Sequence, residues 1–305
     1  MTPVRSGVLV VAKAAGMTSF DVVALARKRL GVRRVGHGGT LDPDAVGVLP
    51  ILIGEATKLM PYLVDWDKEY VVTVRLGVRT DTQDLGGRVL AASPVPPFSH
   101  DQIVRATRAF VGRIRQVPPM YSALHHGGRR LYELAREGVE VPREPREVIV
   151  HSIDVEEASL PTVTLRIVCG KGTYVRALAA DIGETLGCGA AVERLERSRV
   201  GPFGLDGALA TRELASAPAE TVWARVLPAE AALAGWPVVR LDGRAASAFR
   251  HGQSVDADRP ALGKPLVAVH AAAGGFLGIG EVIDDRVKPA RIFHADHTGS
   301  RVLPA

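Results

Sequence analysis

The chain has 305 residues, 47% of them hydrophobic and 23% charged, with a formal net charge of +5. This composition excludes a disordered or low-complexity chain, and the length favours one large domain with a smaller companion, since domains run to roughly 100–200 residues. The only cysteines, Cys169 and Cys188, lack the spacing of a disulfide framework or a zinc site, and no apolar run approaches the roughly 18 residues of a membrane span, so a soluble protein of the reducing cytoplasm is expected.

Residues 8–11 predict a strand that leads through Lys13-Ala14-Ala15-Gly16 into a helix. Thr18 and Asp21 have capping-box spacing, Val22, Val23, Ala26 and Leu30 share one face, and Gly31 ends the helix. Arg27, Lys28, Arg29, Arg33 and Arg34 ride on or just beyond it. With Arg129, Arg130, Arg143 and Arg146 further on, positive charge gathers on two stretches, which suits a polyanionic partner.

Residues 36–47, Gly-His-Gly-Gly-Thr-Leu-Asp-Pro-Asp-Ala-Val-Gly, hold glycines, a histidine and two carboxylates where no regular element persists. Pro43 disfavours the α region for Asp42. The apolar run Val46, Val48, Leu49, Ile51, Leu52 and Ile53 mounts this loop directly on the core, where chemistry commonly sits. On extended backbone Asp42 and Asp44 would share a face roughly 6.6 Å apart, within the range of about 6.5–9.5 Å for an inverting glycosidase. Asp-Pro-Asp is also a common turn, and spacing alone does not choose between the two aspartates.

Tyr70, Val72, Val74 and Leu76 alternate on one face of a strand, followed by a polar turn over residues 79–87. Ser99 and Gln102 cap a helix running to about Phe110. Residues 116–128 break the pattern before a short helix over residues 129–136. Val163, Leu165, Ile167 and Cys169 form a strand face ending at Gly170-Lys171-Gly172, where Thr173 is expected to cap a helix carrying Tyr174, Arg176, Leu178 and Ile182. Residues 215–237 read as a helical hairpin or linker. Short strands and glycine turns follow from Val238, placing a domain boundary at Pro237.

Two phosphate signatures fail. Gly172 occupies the Ser/Thr position of a P-loop and Leu165 the place of its first glycine, while the glycines around His37 precede their apolar strand instead of following it. No nucleotide cofactor is expected, nor a metal.

Taken together, Lys13 to Ser19, the Gly36 to Pro50 loop, Lys68-Glu69-Tyr70, Gly77-Val78-Arg79-Thr80-Asp81-Thr82, Pro118 to Ala123 and Lys171-Gly172-Thr173-Tyr174-Val175-Arg176 resemble the tRNA pseudouridine-55 synthases of the TruB type. Two positions depart from the family pattern: Ala14 stands in place of proline, and Gly38 in place of threonine. The resemblance implies an α+β fold with a mixed, largely antiparallel central sheet flanked by helices (residues 1–237). The C-terminal residues, 238–305, more weakly resemble a PUA-like RNA-binding module; a stabilising β appendage is the alternative.

The resemblance also implies cofactor-free isomerisation of uridine in the T-loop of tRNA by a monomer acting on a flipped-out base. Asp42 matches the essential aspartate, which attacks the base or acts on the ribose during bond cleavage, two accounts between which the resemblance does not choose, and Arg176 matches its pairing arginine. Tyr70 matches a tyrosine that stacks on the uracil and is a candidate for proton removal at C5. Lys13, His37, Tyr174 and Leu195 match substrate-site positions, Lys13 as a buttress of the loop. Because burial penalises a carboxylate, Arg176 is expected to compensate Asp42. Two other readings compete: an RNA chaperone without catalysis, and a hydrolase using Asp42 and Asp44 that releases free uracil.

Overall fold

The computed structural model describes residues 5–256 and 266–294. A ten-stranded sheet organises the first three quarters of the chain. Its strands are β1 (Gly7–Lys13), β2 (Val35–His37), β3 (Val46–Ile53), β4 (Lys68–Leu76), β5 (Gly112–Gln116), β6 (Arg146–Ser159), β7 (Thr162–Cys169), β8 (Ala190–Val200), β9 (Phe203–Gly204) and β10 (Leu209–Ala210). Their order is β10-β1-β3-β8-β4-β7-β6-β5, with β2 paired to β3 and β9 to β8. Only β1/β10 and β3/β8 run parallel, so the sheet is mixed and largely antiparallel, as expected.

The continuous apolar runs of β1 and β3 have a simple cause: both faces are covered. Leu9, Val11, Leu49, Ile51 and Ile53 pack under the helix Ser19–Leu30, against Val22, Val23, Ala26 and Leu30. Their alternate neighbours Val8, Val10, Val48 and Leu52 face the C-terminal module, beside Ala268, Ile279 and Phe293. Further along the sheet, Val72, Val74, Leu165, Ile167 and Cys169 receive Val175, Leu178 and Ile182 from the helix Val175–Thr185. This packing sets the helix start at the edge of the cleft described below.

The capping boxes form as read. Asp21 N–H donates to Thr18 Oγ1 at 3.1 Å and Thr18 N–H to Asp21 Oδ2 at 2.8 Å, and Ser99 and Gln102 repeat the exchange at 3.3 and 2.7 Å. Thr173 does not cap its helix. Its hydroxyl donates to the Gly170 carbonyl at 3.2 Å, and Tyr174 takes the N-cap position. The buried Gln116 brackets the Tyr174 backbone instead, accepting from its N–H at 2.8 Å and donating to its carbonyl at 3.1 Å.

Residues 215–237 are not a loose linker. The helices Thr211–Ser216 and Ala219–Trp223 bury Leu214 and Val222 beside Ala26 and Leu30, while Ala229, Ala232 and Leu233 join the core shared with the C-terminal module. That module has its own five-stranded sheet of β11 (Val238–Leu241), β12 (Val255–Asp256), β13 (Leu266–Ala271), β14 (Phe276–Ile283) and β15 (Arg286–Ile292), in the order β11-β13-β14-β15-β12. Phe249, on the helix Gly243–Arg250, fills a second core within it. Lys58 docks the module by donating to the Ile292 carbonyl at 2.8 Å and lying 5.5 Å over the Phe293 ring. The expected extent of the module includes residues 257–265 and 295–305, which lie outside the described residues. Among the described residues no helix is long and apolar enough to cross a membrane.

Candidate active site

The glycine-rich loop is clamped from beneath at both ends. Lys13, at the end of β1, donates from Nζ to the carbonyls of Ala14 at 2.9 Å, Met17 at 2.7 Å and Pro43 at 2.8 Å. The turn around Pro43 closes with Ala45 N–H donating to the Asp42 carbonyl at 3.2 Å. Upstream, Arg197 of β8 donates from Nη2 to Gly39 O and from Nη1 to Thr40 O, each at 3.1 Å, and from Nε to Val48 O at 2.9 Å. Gly47 permits this close approach. Its φ is +108°, and a Cβ there would lie 2.2 Å from the Arg197 carbonyl oxygen.

Gly38 has no comparable need to be glycine. A Cβ would meet Pro50 at 3.5 Å and Leu63 at 3.7 Å, ordinary contacts. Gly38→Ala is therefore expected to raise stability by about 0.4–1 kcal/mol by narrowing the unfolded ensemble, with turnover unchanged; a denaturant midpoint that falls instead would show that the loop requires glycine.

Asp42 leaves the turn to meet Arg176, whose Nε donates to Asp42 Oδ2 at 2.8 Å. The guanidinium is locked on its other sides, Nη1 donating to Thr82 O at 2.6 Å and Nη2 to Tyr121 O at 2.8 Å. Asp84 Oδ2 lies 3.8 Å from Nε. The Arg176 side chain is 6% exposed and that of Asp42 41%, so the cation is enclosed while the carboxylate reaches open space. Asp44 is exposed and, among the described residues, makes no such pair. The two aspartates sit in a bend, not on an extended strand, so the shared-face spacing does not apply.

Asp42, Arg176, Tyr70, His37, Tyr174 and Leu195 line a single cleft of about 360 Å³, together with Lys68 and Arg197. Lys13 does not line it. At 1% exposure with three carbonyl partners, it holds the loop from below. Tyr70 projects from β4 opposite Arg197 of β8; burial pushes its phenol above the ordinary value, with Arg197 opposing. Burial raises Tyr174 likewise. Burial and the Arg197 charge lower His37, whose Nδ1 has no hydrogen-bond partner among the described residues and whose ring meets Phe20 edge-on at 5.4 Å. Both tyrosines and the histidine are thus neutral near pH 7.

Burial also lowers Lys13 to about 8, against the pull of Asp44 and Asp42. A lysine with a folded pKa below its unfolded value binds fewer protons when folded, so stability rises with pH between the two values. The cost of burying the ammonium is full below pH 8 and is relieved as pH climbs toward the unfolded lysine value. The stability difference between the wild type and Lys13→Met should therefore shift toward the wild type from pH 7 to pH 9.5; denaturant titrations showing no shift would reject the perturbed ammonium.

Asp84, Gln116, Lys68 and Arg197 complete the site without having been singled out from the sequence. Among the described residues no group of three or more His, Cys, Asp or Glu side chains is placed to hold a metal ion.

Residues 27–175 match the TruB family pseudouridylate synthase N-terminal domain, residues 176–234 a tRNA pseudouridylate synthase B C-terminal domain, and residues 237–293 the pseudouridine synthase II TruB C-terminal domain. The tRNA pseudouridine synthase B of Moorella thermoacetica is 44% identical over 288 residues, covering 92% of this chain and 94% of its own. That of Pseudomonas aeruginosa is 42% identical over 296 residues, covering 95% and 96%. The crystal structure of a Cbf5-Nop10-Gar1 complex superposes with a TM-score of 0.74 at 27% identity, covering 94% of this chain and 85% of that one. With three consecutive domain matches and relatives this similar over nearly their full length, the chain belongs to the TruB family of tRNA pseudouridine synthases, which isomerise uridine in tRNA.

Proposed function

We propose that the chain isomerises the uridine at position 55 in the tRNA T-loop, with Asp42 acting as the nucleophile on the ribose. The observation that carries this is the Asp42 carboxylate, open to the cleft and held at 2.8 Å by the enclosed guanidinium of Arg176. A cleft of this size takes one nucleotide, which must leave the folded loop at a cost of a few kcal/mol. Cationic side chains on the T-arm backbone offset that cost. The N1–C1′ bond breaks as the Asp42 oxygen bonds to C1′, the uracil turns within the cleft, and C5 bonds to C1′ as the Asp42–C1′ bond breaks and the carboxylate is regenerated. Tyr70 supplies the stacking face; proton removal at C5 by its hydroxyl requires a phenolate, which burial disfavours and Arg197 favours. Tyr174 and Leu195 wall the base, and His37 fills the place it vacates. The catalytic unit spans residues 1–237, and the module from 238 to 305 adds an RNA-facing surface through Arg240, Arg244, Arg286 and Arg291. A monomer acting on tRNA in the cytoplasm suffices for this chemistry.

Tritium release from carbon-5-labelled uridine in unmodified tRNA tests the assignment. Release without free uracil, lost when position 55 is cytidine, is the expected result. Free uracil would establish the hydrolase, and release independent of position 55 would move the target elsewhere.

A further inference from the structure

Arg197 has the largest side chain among the fully buried residues described, at 1% exposure. Its donors meet only neutral groups: the main-chain carbonyls of Val48, Thr40 and Gly39 and the hydroxyl of Tyr70. No ion pair joins it to a carboxylate among the described residues. Lys68, two residues before Tyr70 on β4, is a weaker case: its partly buried ammonium donates to the carbonyls of Val64 at 2.9 Å and of Trp66, with the Asp67 and Asp65 charges acting on it without forming an ion pair among the described residues. Both cations line the cleft. Arg176 differs, holding Asp42 at 2.8 Å with Asp84 at 3.8 Å.

Enclosing a cation without a counter-ion costs several kcal/mol, and a clamp on three carbonyls needs donors, not charge. The charge therefore has another use. Arg197 stands in register with Tyr70, and its charge is felt at Tyr70, His37 and Lys68, all at the cleft.

The isomerisation generates a charge for these cations to meet. When N1–C1′ breaks, the bonding electron pair stays on N1, and uracil becomes an anion with its charge spread onto O2 and O4. The anion must survive while the base turns. C5 then gives an electron pair to C1′ as the Asp42 carboxylate leaves that carbon with its own pair, a proton leaves C5 and one is gained at N1, so atoms and charge balance. The neutral His37, Tyr70 and Tyr174 bring no compensating charge, and Asp42 repels an anion.

We propose that Arg197, with Lys68 beside it, forms a cationic floor that stabilises the negative charge on uracil between N1–C1′ cleavage and formation of the C1′–C5 bond. This rests on the reading of Asp42 as acting on the ribose. A preorganised charge in an enclosed site is worth far more than one in water, and removing a single stabilising donor commonly costs about 10²–10³ in rate.

The test compares uridine with 5-fluorouridine at the target position, because fluorine stabilises the base anion and reduces the need for external charge. Single-turnover cleavage of N1–C1′ is read by nucleoside digestion, and tRNA affinity by filter binding. Arg197→Gln and Lys68→Gln are expected to slow uridine cleavage about 100-fold or more with affinity unchanged, and the loss on 5-fluorouridine to be at least tenfold smaller. Equal losses on both substrates would make the two residues structural and overturn the proposal. If Arg197→Gln fails to fold, Lys68→Gln carries the same comparison. Failure of the underlying reading is separately visible, as free uracil or absence of reaction at the target in the wild-type enzyme.

Discussion

Asp42→Asn is expected to abolish tritium release while leaving the fold and tRNA binding in place. Asparagine preserves the shape of the side chain, and its Oδ1 still accepts from Arg176 Nε, which now lies 2.8 Å from the carboxylate. What disappears is the negative charge and with it the proposed nucleophile. Removing an essential nucleophile costs roughly 10⁴–10⁶ in turnover, so activity should fall to background. The fold tolerates the change because Arg176 keeps its bonds to Thr82 and Tyr121, and Asp84 remains 3.8 Å away as a countercharge. Asp44→Asn is the control. Its exposed side chain takes no part in the Arg176 cluster, so turnover should change little. Single-turnover assays on both variants separate the possibilities: persistent turnover in Asp42→Asn rejects the nucleophile, and comparable losses in both variants restore the paired-carboxylate hydrolase.

The contrast between these aspartates shows where the sequence was legible. Asp42, Tyr70 and Arg176 belong to motifs whose order and content resemble one family, and the strand carrying Tyr70 follows from simple alternation, whereas the Thr173 cap expected for the Arg176 helix does not form. Arg197 obeys no such rule. In Ala190–Val200 charged and apolar residues intermingle, as on a solvated edge strand, and alternation fails because the ladder to β4 slips between Val192 and Arg194 and again between Arg197 and Arg199. Each bulge shifts which side chains face inward, and the burial of Arg197 is settled only when β8 is inserted between β3 and β4. Lys68 and Asp84 escaped for a related reason: a lysine at a strand end and an aspartate in a polar turn read as surface until distant segments close over them. The packed character of residues 215–237 is likewise tertiary, since short helices rich in alanine show little periodicity until Leu214 and Val222 have a helix to meet.

Arg176→Lys is expected to cost both turnover and stability while sparing tRNA affinity. The guanidinium joins three separate segments at once, through Asp42, the Thr82 carbonyl at 2.6 Å and the Tyr121 carbonyl at 2.8 Å. An ammonium is a single point of charge without the planar fork that reaches all three. If it keeps the carboxylate, two enclosed carbonyls lose their donors at about 1–3 kcal/mol each; if it turns to the carbonyls, Asp42 is released from its aligned position. Misplacement of a reacting group by about 1 Å can cost 10²-fold, so a loss of that order in single-turnover rate is expected, with a lowered melting temperature. Binding should hold because the residue is only 5% exposed and offers little to a phosphate. Filter binding decides the point: a fall in affinity matching the fall in rate would make Arg176 a backbone contact, whereas a rate loss at constant affinity makes it the residue that aims Asp42 at the ribose.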